Sequence, residues 1–398
     1  MILFTKNFKF LLIAILFGLQ ISFSQSLVPY YATVADQCSQ ANITTNLTEY
    51  EALGLKRRGT VQLQNTLDWL KNKYLGFGYA AAQLQEYSFT YTGSTAICKN
   101  LEVTKIGTLY PTTFIIICGH YDSIGGTGTN DNGSGLVSIL EIARLLKDIP
   151  TEYSIKFINF SGEEDGLKGS QHYVSSVVNA TNPKMNIRLV FNLDEVGGVA
   201  GLTNSTITCE RDTSTPTTNN AASNTFTNEL INCVTLYSPL NTLLSYAYAS
   251  DYMSFQSNNE VITGFFETNE TTHKHTATDF LANMDPIYNY NVAKAAIGAT
   301  MHFSKASTVL NNQNFEIENQ LVIFTNAAEK NIYVSTGSLT LDDYNFKVFD
   351  ITGKVIISTV CNNPKAIEAF SAANMSRGIY LGLIEYDGKQ ITKKLLIE

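Results

Sequence analysis

The sequence predicts an α/β domain over most of its length, followed by a small all-β sandwich. Three observations lead there. First, Phe114 to Cys118 is a short apolar run rich in β-branched residues, the signature of a buried parallel strand. A glycine-rich polar loop follows it, and then a helical period in Leu136, Ile139, Leu140, Ala143 and Leu146. Strand, polar loop and helix make the unit whose loop hosts ligands in open α/β sheets. Second, the alternating run Ser154–Phe160 leads into Glu163-Glu164, and the apolar run Leu189–Leu193 ends on Asp194. Third, the pattern beyond residue 314 changes to short alternating strands, at Gln320–Phe324, Phe346–Phe349, Lys354–Ser358 and Ile379–Glu385. Turns at Thr352-Gly353 and Asp387-Gly388 punctuate them.

With 398 residues the chain has room for two or three domains and a sizeable core. Charged residues make up 16%, against about 25% in a typical soluble protein. Asn, Ser, Thr and Tyr take their place, as in many secreted proteins. A net charge of −8 with no basic stripe argues against nucleic acid as a partner. Lys6 and Lys9 precede the apolar run Phe10–Leu19, and Ser22 and Ser24 follow it. Residues 1–24 therefore read as a secretory signal peptide, with Gln25 as the mature N-terminus. The run is shorter than the roughly 20 residues needed to cross a bilayer, and no later stretch is apolar enough, so no stable membrane span is expected. Six cysteines are too few for a disulfide scaffold in a chain of this length. Cys118, inside the central strand, reads as a free thiol. Cys209 with Cys233 and Cys38 with Cys98 are candidate pairs, and spacing leaves the connectivity open.

In order along the chain, residues 26–60 form an entry segment of loop and short helix. A helix over Val61–Tyr74 carries the single tryptophan, Trp69, as a core residue, and strands follow at Gln83–Tyr91 and Asn100–Ile106. The first strand of the central motif delivers His120 and Asp122, and its loop delivers Asp131 ahead of Gly133 and Gly135. The strand Ser154–Phe160 runs into Glu163 and Glu164, adjacent carboxylates that point in different directions. One can ligate a metal while the other faces a substrate. The strand Leu189–Leu193 ends on Asp194. Residues 203–228 contain 17 Ser, Thr or Asn out of 26, a loop-like composition with little capacity for a core. A helix is expected near Asn224–Leu236 and a last apolar strand at Val261–Phe266, preceded by Ser250-Asp251-Tyr252. Residues 267–279 then bring together Glu267, His273, His275 and Asp279 before a helix at Tyr288–Phe303. The resulting division is a domain over 25–303, a polar linker over 304–314 and a β-sandwich over 315–398. The sandwich contains no histidine.

Singly, each polar residue at a strand end has an ordinary explanation as a turn or a satisfied surface group. The set His120, Asp131, Glu163, Glu164, Asp194 and His275 does not. Two histidines and three carboxylates can hold two zinc ions if one carboxylate bridges them, which leaves the fourth carboxylate free as a base.

These residues resemble the co-catalytic di-zinc aminopeptidases of the leucyl and bacterial secreted type, relatives of glutamate carboxypeptidases and glutaminyl cyclases. The resemblance covers roughly residues 60–303. It rests on Gly119-His120-Tyr121-Asp122-Ser123, Asn130-Asp131-Asn132-Gly133-Ser134-Gly135, Gly162-Glu163-Glu164, Asn192-Leu193-Asp194 and His275-Thr276-Ala277-Thr278-Asp279. It implies a three-layer αβα sandwich over a mixed sheet of about eight strands. It also implies two zinc ions per chain, one held by His120 and Asp194, the other by Glu164 and His275, with Asp131 bridging. Glu163 is then the general base, Asp122 orients His120, and the Asp131–Asn132 peptide is cis. The implied reaction is removal of N-terminal residues from peptides or proteins, in a pocket closed at one end. The alternatives are a carboxypeptidase or glutaminyl cyclase on the same fold, or a non-catalytic binding protein. His275 is preferred to His273 as ligand. The family often has Tyr before its last histidine, where this chain has Lys274. An ammonium there either donates to the oxyanion or points away and leaves that role to zinc. The segments Phe349-Asp350-Ile351-Thr352-Gly353-Lys354, Arg377-Gly378-Ile379-Tyr380 and Lys393-Lys394-Leu395-Leu396 resemble the C-terminal sorting domain of type IX secretion cargo. That implies export through the periplasm to the medium or the cell surface, with the secretion machinery as a partner.

Overall fold

Alternate residues of one strand, Tyr110–His120 (β3), face opposite layers of the protein. Ile115 and Ile117 pack on one side of the sheet with Leu136, Ile139 and Leu140 of the helix Gly133–Leu146. Ile116 and Cys118 pack on the other with Tyr173 and Phe255. A strand apolar on both faces needs cover on both, and a three-layer αβα sandwich follows. This computed structural model describes residues 25–180, 182–307, 321–326, 329–336, 341–386 and 389–397. The expected signal peptide 1–24, the larger part of the expected linker (308–314) and the turn at Asp387-Gly388 lie outside those residues. The chain divides into two compact units, residues 1–308 and 309–398.

In the first unit the helices are α1 (Pro29–Ala35), α2 (Gln40–Ala52), α3 (Val61–Gly76), α4 (Gly133–Leu146), α5 (Lys168–Tyr173), α6 (Asn220–Tyr237), α7 (Tyr252–Ser257) and α8 (Pro286–Ser304). The strands are β1 (Leu84–Phe89), β2 (Cys98–Lys105), β3, β4 (Tyr153–Phe160), β5 (Asn186–Leu193), β6 (Thr206–Arg211), β7 (Asn241–Tyr246) and β8 (Ile262–Glu267). They form one eight-stranded sheet in the order β1-β2-β4-β3-β5-β8-β6-β7. The four central strands β4, β3, β5 and β8 are mutually parallel. The antiparallel pairings lie outside them, β1 with β2, β2 with β4 and β6 with β8. The carboxyl ends of the four parallel strands therefore share one edge. From that edge the chain emits His120, Glu163 with Glu164, Asp194, and the loop that carries His275.

α4 is buried around its whole circumference, not on one face only, because it is wedged between the sheet and α8. Its polar residues are satisfied internally. The Ser138 hydroxyl donates to the Ser134 carbonyl at 2.9 Å, and the Asn289 amide from α8 donates to the Ser134 carbonyl at 3.2 Å. Trp69 is only half-buried. It packs against Tyr50 and donates its indole N–H to Glu49 at 2.8 Å, at the rim of the core rather than within it.

Two expectations are corrected. Residues 203–228 are not a structureless loop, since they supply β6 and the start of α6. Within β6 Ile207 and Cys209 point into the core, and the polar residues around them are buried with partners. Ser223 donates to the Ile262 carbonyl at 2.6 Å, and Thr227 and Thr263 share a hydrogen bond of 2.8 Å. The expected disulfides are absent, since all six cysteines are free. Cys38, Cys98, Cys209 and Cys233 are buried and act as small apolar groups.

The second unit has two antiparallel sheets. One has the order β13-β10-β9 and the other β12-β11-β14-β15, where β9 is Val322–Asn326, β10 Asn331–Ser335, β11 Asp343–Asp350, β12 Val355–Asn362, β13 Ile367–Ser371, β14 Gly378–Tyr386 and β15 Lys389–Ile397. Ile323, Ile332 and Val334 from one sheet meet Phe346, Val348 and Ile384 from the other in a single core, which makes the unit a β-sandwich.

Candidate metal centre

The loop after β3 is held in place by its glycines and by carboxylates from elsewhere in the chain. A Cβ on Gly125 would stand 2.2 Å from the His275 carbonyl oxygen, and one on Gly126 would stand 2.1 Å from that of Thr276. Only glycine lets the two loops lie against each other. Asp279 accepts hydrogen bonds from the backbone N–H groups of Asn130 at 2.8 Å and Asp131 at 3.2 Å. Glu267 takes both Asn130 amide contacts at 3.1 and 3.0 Å, and also binds the N–H of Gly198 at 2.7 Å. The Asp131–Asn132 peptide is cis. Asn132 caps α4 by accepting from the Gly135 N–H at 2.9 Å and ties the loop to β5 by donating to the Leu193 carbonyl at 2.8 Å.

On this frame the predicted residues converge into two donor groups that share one carboxylate. His120, Asp131 and Asp194 form the first, and Asp131, Glu164 and His275 the second. His120 Nε2 lies 3.1 Å from Asp131 Oδ1 and 3.3 Å from Asp194 Oδ1. His275 Nε2 lies 3.1 Å from Asp131 Oδ2 and 3.1 Å from Glu164 Oε2. Donors about 2.0–2.1 Å from a tetrahedral zinc stand roughly 3.3 Å apart, so these spacings suit ligands of a common ion. Asp194 Oδ1 and Glu164 Oε1 are buried without a hydrogen-bond partner. Orphaned carboxylate oxygens in a set of imidazoles and carboxylates fit a divalent cation. The groups differ in access. The first is fully buried, whereas the His275 side chain is 56% exposed.

The surrounding residues fix the direction of the donors. His120 Nδ1 is 3.2 Å from the Asp122 backbone carbonyl, which leaves Nε2 facing Asp131 and Asp194. The Asp122 carboxylate, expected to orient His120, stands 3.7 Å away. It accepts instead from the N–H groups of Glu163 and Glu164, at 3.3 Å each, and so sets the turn that separates the two glutamates. The Glu163 side chain belongs to neither donor group and lines a cavity of about 280 Å³ beside them. His273 is outside the donor groups, its Nδ1 hydrogen-bonded to Thr278 at 2.7 Å. Lys274 also lines the cavity, with its ammonium paired to Glu270 and, at 3.3 Å, to Glu195. Sequence reasoning did not assign Ser250 or Glu195. Ser250 donates to Asp194 Oδ2 at 2.5 Å and so directs Oδ1 toward His120. Glu195 adjoins a ligand just as Glu163 adjoins Glu164, and that second acidic position at a strand end was its only signal.

Residues 103–300 match the sequence profile of Peptidase family M28. The segment belongs to this family. Residues 322–398 match the Secretion system C-terminal sorting domain. An 84-residue stretch is 44% identical to Aminopeptidase YwaD of Bacillus subtilis, covering 21% of this chain and 18% of that protein. Another, of 87 residues, is 40% identical to a probable leucine aminopeptidase 2 of Aspergillus oryzae, covering 22% of this chain and 17% of that one. The matched stretches are thus about a fifth of the length of these relatives. The M28 fold is shared with LapB of Legionella pneumophila, at a TM-score of 0.60, 22% identity and coverage of 71% of this chain and 75% of that one. It is shared also with a glutaminyl cyclase of Bacteroides thetaiotaomicron, at a TM-score of 0.54, 17% identity and coverage of 66% of this chain and 97% of that one.

Without metal, protons hold this M28 site together. Burial, reinforced by neighbouring carboxylates, pushes Glu163 up to about 9 and Glu164 up to about 10. Burial opposes charge on His120, but Asp194 and Asp131 outweigh it and hold the imidazole well above its ordinary value. Each of these groups keeps its proton in the fold at a pH where the unfolded chain has lost it. Stability of the metal-free protein therefore falls as pH rises from near 4.5, the ordinary glutamate value, toward 9–10. A cation held by these donors would replace those protons and reduce the slope. Thermal denaturation of chelator-treated protein should show Tm falling between about pH 6 and 9, and zinc-saturated protein should show a much smaller fall. Parallel slopes for the two forms would contradict this account.

Proposed function

We propose that the protein is an exported zinc aminopeptidase that hydrolyses the first peptide bond of substrates with a free N-terminus. The observation that carries this reading is the pair of donor groups joined through Asp131, with Glu163 uncommitted beside them. His120 and Asp194 would hold one zinc ion, Glu164 and His275 a second, and Asp131 both. Zinc bound there supplies Lewis acidity toward the scissile carbonyl and a lowered pKa for water. Glu163 takes the proton of the attacking water and passes it to the departing amine, the double role of a general base turned acid. Asp122 keeps Glu163 and Glu164 apart through their backbone N–H groups. The cavity has room for about one residue next to the reacting bond, which suits removal of a single terminal residue. A glutaminyl cyclase has the same fold, so the fold does not separate the two reactions. The shared carboxylate favours the peptidase.

Two variants separate base from ligand. Glu163→Gln should retain zinc but lose about 10³–10⁴-fold in kcat, the upper range for a general acid–base group. Glu164→Gln should bind zinc more weakly and recover in part when zinc is added. Near-normal kcat in Glu163→Gln, or an exchange of the two phenotypes, would contradict the assignment. Hydrolysis of N-acetylated peptides at rates equal to free ones would contradict the N-terminal specificity.

We also propose that the β-sandwich directs export. Deleting residues 312–398 should leave a folded, active peptidase that is retained in the periplasm of a host with the matching secretion system. Normal release of the truncated protein would contradict this role.

A further inference from the structure

Beside the donor groups the cavity is also lined by Glu195, Glu210, Tyr248, Ser250, Phe266 and Lys274. An aminopeptidase that accepts apolar N-terminal residues needs an apolar wall, and this wall holds two buried carboxylates. Glu195 is 7% exposed and Glu210 3%. Carboxylates are seldom kept out of water without a cationic or hydrogen-bonding partner.

Both carboxylates are set by the fold. Glu195 has φ of 45°, donates its N–H to Asn132 at 3.3 Å and accepts from the Glu267 N–H at 2.8 Å, so its backbone is fixed from two sides. Its Oε2 is buried with no partner, and its Oε1 lies 3.3 Å from the Lys274 ammonium. Glu210, on β6, accepts from the Tyr252 hydroxyl at 2.5 Å. Gly264 makes that contact possible, since a Cβ there would stand 2.6 Å from the Tyr252 ring. The wall already accommodates an ammonium, because Lys274 Nζ sits between Glu195 and Glu270, 5.7 Å from the centre of the Phe266 ring. The wall thus presents two buried carboxyl groups and a single ammonium. Lys274 is also engaged by Glu270, so its charge is not free for an anionic ligand.

We propose that this wall is a subsite for a cationic side chain, so that the enzyme prefers substrates beginning with Lys or Arg. The inference rests on the aminopeptidase reading above and names its substrate class. A lysine or arginine head donates to the unpartnered Glu195 Oε2. A norleucine side chain, of similar length and shape but neutral, leaves that oxygen unsatisfied, and a glutamate side chain brings a further carboxylate with no donor for it.

The test compares zinc-loaded protein on the aminomethylcoumarin amides of Lys, Arg, norleucine, Leu and Glu. The kcat/KM for Lys and Arg should exceed that for norleucine by about tenfold or more, the scale of one charge-assisted hydrogen bond, and Glu should be poorest. Glu195→Gln should lower the Lys-to-norleucine ratio at least about fivefold, and Glu210→Gln should lower it too, which keeps the test decisive if the first variant misfolds. Free L-lysine should also inhibit Leu-amide turnover more strongly than free L-norleucine. Rapid norleucine and Leu turnover with a native ratio near one would overturn the cationic subsite and leave the aminopeptidase standing. A ratio unchanged in both variants would overturn it as well. No turnover of any of the five amides would overturn both readings.

Discussion

Carboxylates crowded out of water dominate this molecule. Asp131, Asp194 and Glu164 approach two imidazoles within 3.1–3.3 Å, and Glu163 and Glu195 line the same cavity. Like charges at such separations repel unless protons or cations intervene. Burial and neighbouring carboxylates raise the proton affinity of Glu164, and Asp194 with Asp131 raises that of His120, while the buried oxygens of Asp194 and Glu164 without hydrogen-bond partners fit a cation. A fold that holds such a cluster has to resist that repulsion through its backbone.

The resistance comes from the parallel core of the sheet. Four neighbouring strands that end on one edge deliver their first polar residues to a common point without long loops. The loops that remain are pinned. Asp279 holds two N–H groups beside Asp131, Glu267 holds Asn130, and Gly125 and Gly126 admit the His275 loop at a distance where any Cβ would clash. Rigid strands set the buried donor group, and the loop sets the exposed one. This explains why His120 is buried while His275 faces solvent.

Much of this was legible in the sequence because each central strand is a mainly apolar run followed within a few residues by an acid or imidazole. The change of pattern marks the strand end, and the strand end marks the site. The legibility fails where composition misleads. Residues 203–228 are so rich in Ser, Thr and Asn that they read as loop, yet the alternation of Ile207 and Cys209 with β-branched threonines suffices for a strand once Ser223 and Thr227 find partners in the core. The helix α4 read as one-sided because its serines and Glu141 count as polar, although their hydrogen bonds allow complete burial. Ser250, Glu195 and Glu210 could not be assigned because their roles depend on side chains far away in sequence. Cys209 with Cys233 was a candidate pair whose connectivity the spacing left open, and both are free thiols.

The central claim is that one carboxylate serves two ions. Anomalous diffraction at the zinc edge, from crystals of protein loaded with excess zinc, tests it most directly. The account predicts two anomalous peaks, each within bonding distance of a different Asp131 oxygen, one also bound by His120 and the other by His275. A single peak that zinc excess cannot double, or two peaks of which either lacks Asp131, would contradict it.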